Sequence, residues 1–446
     1  MIHALVLGCV MATLLLLALK RPVVGLLAFY FISFMNPQQD TWGIGGAFHW
    51  ALLAGIATVI GCLVAGEPRR LPVNAMTVPL TFFLLFATIS TIFALGPADS
   101  VNHTYFLVMK SFGFMILACG LLTTRKRIHA MLWLMVLSVG YYGIRGGLFT
   151  ILTGGHNHVF GPPNTMIYDN NELATGLLIT MPLMNYLRMH AEHRLVRTGL
   201  LAAMGITLLA VVGTYSRGGF VALFAMSVFL WWNSKAKLGY ALAFALGATI
   251  VVAAMPPTWT HRMFSIQHYK HDADATSRLT IWREAYGIAE ARPLVGGGFN
   301  ATTIPDVLHQ FYPDAQPLAV HSIWFEIIGD LGFPAFFAWA SMTVAGILSA
   351  RWLRHHARDD PDLRWADDLG RMGEVSIIAY VVGGTFLPQS YLDYYFMVVV
   401  VLVSSRALII AERRVAGGSR LARGSMRAIP QRRLLPGAAA RGSDFA

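Results

Sequence analysis

Two arginines and a histidine are the residues of this chain best suited to chemistry on an anion. The first, Arg217, lies in the run from Val211 to Phe220, with about fifteen or more mostly apolar residues on either side. A cation in such surroundings is costly, and the following Gly218 and Gly219 leave space for a ligand to approach it. An anion that arrives from the lipid phase explains both features, so the pattern predicts a lipid-linked phosphate as the ligand.

Arg278 and His321 supply the other groups that a pyrophosphate leaving group requires. Arginine stays charged and can direct two donors at phosphate oxygens. Histidine can accept a proton from a sugar hydroxyl near neutral pH. Arg278 falls near the start of a predicted helix, where the N-terminus also favours an anion. His321 immediately precedes an apolar run, with Glu326 five residues later.

Each of these residues also has a purely structural interpretation. Arg217 could be a cation that extends from a short turn towards water, and Arg278 could pair with lipid head groups or with Asp274. His321 could simply begin a helix. Arg145 lies between glycines, as Arg217 does, and is a candidate second contact for the pyrophosphate.

The acidic residues are weaker candidates. Asp272-Ala273-Asp274 matches the D-x-D pattern with which many soluble glycosyltransferases hold a metal, but three residues are unspecific and no nucleotide-binding pattern surrounds them. We therefore predict no metal. The run Asp169–Glu172 is better explained as a helix cap than as a sugar site. Glu326 and Asp330 lie at neither the third nor the fourth position after His321, so they are expected to act at most behind the imidazole.

Composition decides which elements must position these side chains. The chain has 446 residues, of which 56% are hydrophobic and only 13% charged, and its apolar runs are long enough to cross a bilayer. The net charge of +11 would suit a nucleic-acid partner, but the basic residues gather in alternate loops, as in membrane proteins with basic cytoplasmic loops. These loops contain Lys20-Arg21, Arg69-Arg70, Arg125–Arg127, Arg188–Arg197, Lys235 with Lys237, Arg351–Arg364 and the tail from Arg413. The three cysteines lie in apolar segments and are expected to be free thiols.

The pattern predicts an all-α polytopic membrane protein with thirteen apolar runs. They cover residues 2–19, 22–36, 49–66, 76–95, 103–122, 130–152, 171–187, 198–215, 218–233, 238–255, 322–349, 372–387 and 394–411. Only Lys20-Arg21 separates the first two runs, which could form one broken unit, so twelve or thirteen spans are expected.

Four regions follow from these runs: membrane helices in 1–255, an outer loop in 256–320, further membrane helices in 321–412 and a basic cytoplasmic tail, expected to be disordered, in 413–446. In the outer loop, Thr276 to Ala291 is predicted to form an interfacial helix capped by Thr276 or Ser277. Its apolar face would carry Leu279, Trp282, Tyr286 and Ala289. Pro293 should end this helix, and Gly296–Gly298 should form a flexible connection.

At these residues the chain resembles the O-antigen ligase family (WaaL), within the group that also holds O-antigen polymerases (Wzy) and protein O-oligosaccharyltransferases. The matching features extend over about Val211 to Pro334: the turn Ser216–Gly219, Arg278 with Trp282 four residues later, Pro293 with Gly296 and Gly298, and His321 before Gly329, Leu331 and Gly332. The N-terminal part, including Asn36-Pro37 and Gly161-Pro162, is similar to ligase-like proteins associated with exosortase clusters.

The resemblance implies a GT-C-like glycosyltransferase in the bacterial inner membrane, with its active site on the periplasmic side. The donor would be a glycan on undecaprenyl pyrophosphate, the acceptor lipid A–core, and neither metal nor nucleotide cofactor would take part. Arg217 and Arg278 would bind the pyrophosphate, with Ser216, Gly218 and Trp282 beside them, and His321 would activate the acceptor hydroxyl. A polymerase, a protein O-oligosaccharyltransferase and a lipid-linked oligosaccharide flippase remain alternatives.

Overall fold

A computed structural model describes residues 2–40, 49–68, 71–234, 236–264 and 273–427. Within these ranges the chain is almost entirely α-helical and contains no strand. The helices are α1 (Ile2–Lys20), α2 (Pro22–Met35), α3 (Trp50–Ala65), α4 (Thr77–Ile92), α5 (Ala98–Leu121), α6 (Arg125–Leu152), α7 (Asn170–His190), α8 (Arg194–Gly213), α9 (Arg217–Asn233), α10 (Lys237–Ala254), α11 (Pro257–Phe264), α12 (Ala273–Ala291), α13 (Pro305–Leu308), α14 (Ile323–Ala357), α15 (Arg364–Gly384) and α16 (Asp393–Arg427).

Each of the thirteen predicted apolar runs coincides with one of these helices, namely α1 to α10 and α14 to α16. Among the described residues, six helices are long and apolar enough to cross a membrane: α5, α6, α8, α10, α14 and α16 as far as Val415. The protein is therefore a multi-pass membrane protein, and the predicted all-α fold is confirmed. The total of twelve or thirteen spans stays a prediction, because the other seven helices are shorter or more polar.

Helix α15 packs against α14, α7 and α9, so it connects the helices that begin near His321, Asp169 and Arg217. Small residues make these approaches possible. A Cβ at Gly383 would lie 2.8 Å from the Thr175 hydroxyl of α7, and one at Gly384 would lie 2.9 Å from Ile323 of α14.

The outer loop packs on α14 through α12, with a different face from the one predicted. Ile281, Ala285, Ile288 and Ala289 are buried, at the spacing of one helical face, whereas Leu279 and Tyr286 are exposed. Of the predicted apolar face, Trp282 and Ala289 do face the protein. The rest of the buried face is the neighbouring one, because its small residues let α12 and α14 approach closely.

The predicted cap of α12 is wrong as well. The helix is described from Ala273, so Thr276 lies inside it, and the Thr276 carbonyl accepts the hydroxyl of Thr280 at 3.1 Å. Thr276 and Ser277 do not cap the helix because the residues before them are already helical. The predicted end is confirmed: α12 stops at Ala291, ahead of Pro293.

Gly296–Gly298 is not the flexible connection that the sequence suggested. All three glycines are buried, and the amides of Gly297 and Gly298 donate to the carbonyls of Gly329 (2.9 Å) and Asp330 (2.8 Å). Gly296 has a φ of +60°, and a Cβ there would lie 2.5 Å from the Asp330 carbonyl oxygen. The glycines are needed because the loop backbone lies directly against α14.

The chain divides into two units, Met1–Arg406 and Ala407–Ala446. The bundle and the outer loop belong to the first unit. In the second unit, α16 is described as far as Arg427, although disorder was expected from Arg413 onward. Residues 428–446 lie outside the described residues.

Candidate functional site

Arg217 begins α9 directly after a tight turn. Ser216 is the N-cap residue, and its hydroxyl accepts the amide of Gly219 at 2.9 Å. Polar oxygens at this position satisfy amides that a helix start leaves without carbonyl partners. Ser216 and Gly219 are buried, whereas Arg217 and Gly218 are half-buried. The arginine is therefore held at the end of a rigid helix.

Three elements fix this turn from its other side. The Asn170 side chain of α7 donates to the Thr214 carbonyl at 2.6 Å, next to Asp169, which caps α7 as predicted by accepting the Asn171 amide. The Trp259 indole and the Arg262 guanidinium of α11 donate to the carbonyls of Val212 and Tyr215, both at 3.0 Å. Helix α11, the first helix of the outer loop, therefore contacts the turn that precedes Arg217.

Arg278 reaches the segment that connects α15 to α16. Its Nη1 donates to the Phe386 carbonyl at 3.2 Å. We call residues Thr385–Leu392 the connecting segment. The same Phe386 lies beside the Arg217 turn, since a Cβ at Gly218 would be 3.6 Å from the Cβ of Phe386. Phe386 therefore bonds the guanidinium of Arg278 and also lies beside Gly218, the residue that follows Arg217.

Trp282 joins this group to the start of α14. Its indole donates to the carbonyl of Val320, the residue before His321, at 2.8 Å. Its ring stacks on Phe325 at 5.3 Å between centroids and lies 6.3 Å from the ring of Phe386. Because Trp282 is one helical turn beyond Arg278, these contacts hold the His321 backbone close to the helix that carries Arg278.

His321 has an uncommon backbone conformation. Five described residues other than glycine have a positive φ, and three of them are asparagines, which tolerate it. The other two are Tyr215 (φ 58°) and His321 (φ 48°). Such conformations cost energy and persist where the surrounding structure enforces them. Tyr215 lies two residues before Arg217, so one strained position is close to a predicted site residue and the other, His321, is one.

No described hydrogen bond joins the Glu326 carboxylate to the His321 imidazole. Its carboxylate accepts the amide of Ser390 at 3.0 Å and also the Ser390 hydroxyl. Asp330 accepts the Ala301 amide (3.1 Å) and the Tyr391 hydroxyl (2.9 Å). Both carboxylates therefore hold the connecting segment against α14.

Arg145 is not brought into this group. It is exposed on α6, and it makes no hydrogen bond or ion pair within the described ranges. The neighbouring glycines serve helix packing, because a Cβ at Gly143 would lie 2.5 Å from the Thr207 hydroxyl and one at Gly147 would lie 2.0 Å from the Ile206 carbonyl of α8. The resemblance to the surroundings of Arg217 thus has a different physical cause.

The structure adds residues that sequence reasoning missed. The Phe386 carbonyl belongs to an apolar residue, and no side-chain type could have identified it. Arg262 lies in the outer loop without a recognisable motif around it. The ring of His158 packs at a tilt against the ring of Tyr215, with 4.3 Å between their centroids. Burial and the nearby charge of Arg262 lower the pKa of His158, so its ring is neutral near pH 7. The glycine-rich sequence before His158 was the only available signal.

Among the described residues, no group of three or more His, Cys, Asp or Glu side chains is arranged to hold a metal ion. Asp272 of the D-x-D motif lies outside the described residues. The expectation of a metal-independent site therefore stays a prediction.

Comparison with protein families gives two matches. Residues 202–340 match the family described as O-antigen ligase, and residues 2–192 match a family of unknown function (DUF5935). The first match contains Arg217, Arg278 and His321, and it supports membership of the ligase and polymerase superfamily. No curated protein matches the chain. A membrane enzyme that transfers glycans is the function this similarity supports.

Proposed function

We propose, with the ligase-like region 202–340 as the premise, that the protein transfers an O-antigen glycan en bloc from undecaprenyl pyrophosphate to lipid A–core. The reaction would take place on the periplasmic side of the bacterial inner membrane. The alternation of basic loops favours this side for the outer loop. Arg278 belongs to that loop, His321 directly follows it, and its Arg262 contacts the turn before Arg217.

The observation that carries the proposal is the shared contact at Phe386. Its carbonyl accepts Arg278 and its Cβ lies beside Gly218, the residue after Arg217. The Trp282 bond to Val320 then ties the residue before His321 to the helix of Arg278. Two guanidinium groups and an imidazole on neighbouring rigid elements are the groups that a pyrophosphate leaving group and a sugar hydroxyl require.

The proposed reaction is a single inverting displacement. The acceptor hydroxyl loses its proton to neutral His321 while its oxygen attacks the anomeric carbon of the donor glycan. The bond from that carbon to the pyrophosphate oxygen breaks, and the electron pair leaves with undecaprenyl pyrophosphate. Arg217 and Arg278 would stabilise the negative charge that develops on this oxygen, and held arginines do so without reorganising during the reaction.

Arg217→Ala, Arg278→Ala and His321→Ala test the proposal. Each should reduce transfer by about a hundredfold or more, since loss of one preorganised contact costs about 3 kcal/mol in the transition state. The measurement is the lipopolysaccharide ladder in a ligase-deficient strain that expresses each variant at the same protein level.

Arg145→Ala is the matched control, because it also removes an arginine beside two glycines in an apolar helix. Its exposed side chain makes no described hydrogen bond to the site residues, which predicts a ladder close to the wild type. Normal ladders from all three site variants would refute the assignment, and loss of the ladder in Arg145→Ala would return that residue to the site.

A further inference from the structure

Glu326 and Ser390 are joined by hydrogen bonds that take no part in the proposed reaction. Glu326 lies on the first turns of α14, five residues after His321. Its Oε2 accepts both the amide and the hydroxyl of Ser390, which is completely buried. The Ser390 hydroxyl also lies 3.0 Å from the Ile323 carbonyl. We call the two Glu326–Ser390 hydrogen bonds the latch.

The other end of the connecting segment contacts every element of the proposed site. The Phe386 carbonyl accepts Arg278, and its Cβ adjoins Gly218. The hydroxyl of Thr385 accepts the indole of Trp324, three residues after His321, at 3.0 Å. The segment is therefore tied to α14 at both of its ends and meets the two arginine-bearing elements between them.

We infer that Glu326 is a positioning residue, whose latch sets the separation between His321 and the two arginines. This inference rests on the proposed function. A shift of the connecting segment along α14 would move the Phe386 carbonyl, and with it Arg278 and the Arg217 turn, relative to the imidazole. A displacement of 1 Å in a reacting geometry can cost about a hundredfold in rate.

The chemistry of the latch explains why the side chain must be an acceptor. Ser390 is buried, so an apolar side chain at position 326 would leave its amide without a partner, which is costly. Glutamine can place its carbonyl oxygen where Oε2 lies, and this one oxygen can accept both the Ser390 amide and the Ser390 hydroxyl, as the carboxylate oxygen does. A positioning role thus predicts that glutamine replaces glutamate and that leucine does not.

Purified protein supplied with lipid-linked glycan and rough lipopolysaccharide provides the test, with turnover expressed per folded molecule after size exclusion. Glu326→Leu should lose about thirtyfold or more in turnover, whereas Glu326→Gln should stay within about threefold. Ser390→Ala, which removes one of the two donors, should lose about fivefold, and adding it to Glu326→Leu should change the rate by less than about twofold because both act on one connection. Ser341→Ala is the control, since Ser341 is exposed on α14 and its hydroxyl bonds only within the helix.

The outcomes separate the two proposals. Absence of transfer by the wild-type protein sinks the proposed function. If the wild type is active, any of three results overturns the latch alone. Glu326→Leu or Ser390→Ala keeps the full rate, Glu326→Gln is as slow as Glu326→Leu, or the rate losses of Glu326→Leu and Ser390→Ala add in the double variant. If Glu326→Leu yields no folded protein, the comparison of Ser390→Ala and Glu326→Gln with Ser341→Ala decides by the same criteria.

Discussion

His321 and Tyr215 hold their backbones in a region that side chains with a Cβ usually avoid. At each position neighbouring bonds enforce the conformation. The Tyr215 carbonyl accepts Arg262 and its hydroxyl donates to the Gly155 carbonyl, while the residue before His321 is held by Trp282. Strain at a position that adjoins a proposed site residue indicates that orientation is maintained there at a cost of about 1–3 kcal/mol.

His158 gives a prediction on pH. Its folded-state pKa lies below the unfolded value because burial and Arg262 disfavour the charged ring. Below the unfolded pKa, the unfolded chain binds more protons than the folded chain, so the His158 contribution to stability is present above that pH and is lost as pH falls. His158→Phe keeps a ring against Tyr215 without titrating. We expect its unfolding temperature in detergent to fall less than that of the wild type between pH 7.5 and 5.5, and an equal fall would contradict this.

Elements meet in this protein through backbone as much as through side chains. The outer loop approaches α14 by way of Gly297 and Gly298, and α14 itself bends at Gly332, whose φ is +78°. The Phe333 amide then donates to the Pro293 carbonyl at 2.9 Å. This hydrogen bond joins the end of α12 to the bend of α14. It therefore helps to fix how α12, which carries Arg278, packs on α14, which follows His321.

Gly296→Ala tests this close approach. A Cβ at a φ of +60° is strained by about 1–2 kcal/mol, and here it would also meet the Asp330 carbonyl at 2.5 Å. We expect a clear loss of thermal stability in detergent. Gly247→Ala in α10 is the control, because nothing lies within 4 Å of its added Cβ and alanine favours a helix. Equal unfolding temperatures for the two variants would contradict the close packing of the loop.

At the scale of the whole molecule, the proposed site residues gather at the ends of neighbouring helices. Arg217 and Arg262 adjoin the same turn, Arg278 reaches the connecting segment beside it, and His321 lies just before the next long helix. A transporter is expected to place broken helices and charges near the middle of the membrane and to expose them to both faces. The gathering of these residues around one turn and one connecting segment favours bond formation over transport.

Reconstitution in liposomes distinguishes these classes. With lipid-linked glycan and rough lipopolysaccharide, a ligase forms a ladder, a polymerase lengthens the donor and a flippase makes no new bond. We further expect EDTA to change the rate of ladder formation by less than about twofold, because arginines rather than a metal would stabilise the leaving group. Strong inhibition that added divalent ions reverse would restore Asp272-Ala273-Asp274 as a metal site.

The sequence by itself determined the helical membrane fold, because long apolar runs leave the backbone few alternatives to helices in lipid. It also placed Arg217, Arg278 and His321 at element ends on one predicted side, through loop charge and turn residues. Only the tertiary structure decided which face of α12 is buried, that Gly296–Gly298 are packed against α14, and that the glycines beside Arg145 serve helix packing. It also revealed Phe386 and Ser390 as common contacts. The contacts of Phe386 and of Gly297 and Gly298 use backbone carbonyls and amides, which nearly every residue carries, so helix packing and not residue type selects their partners.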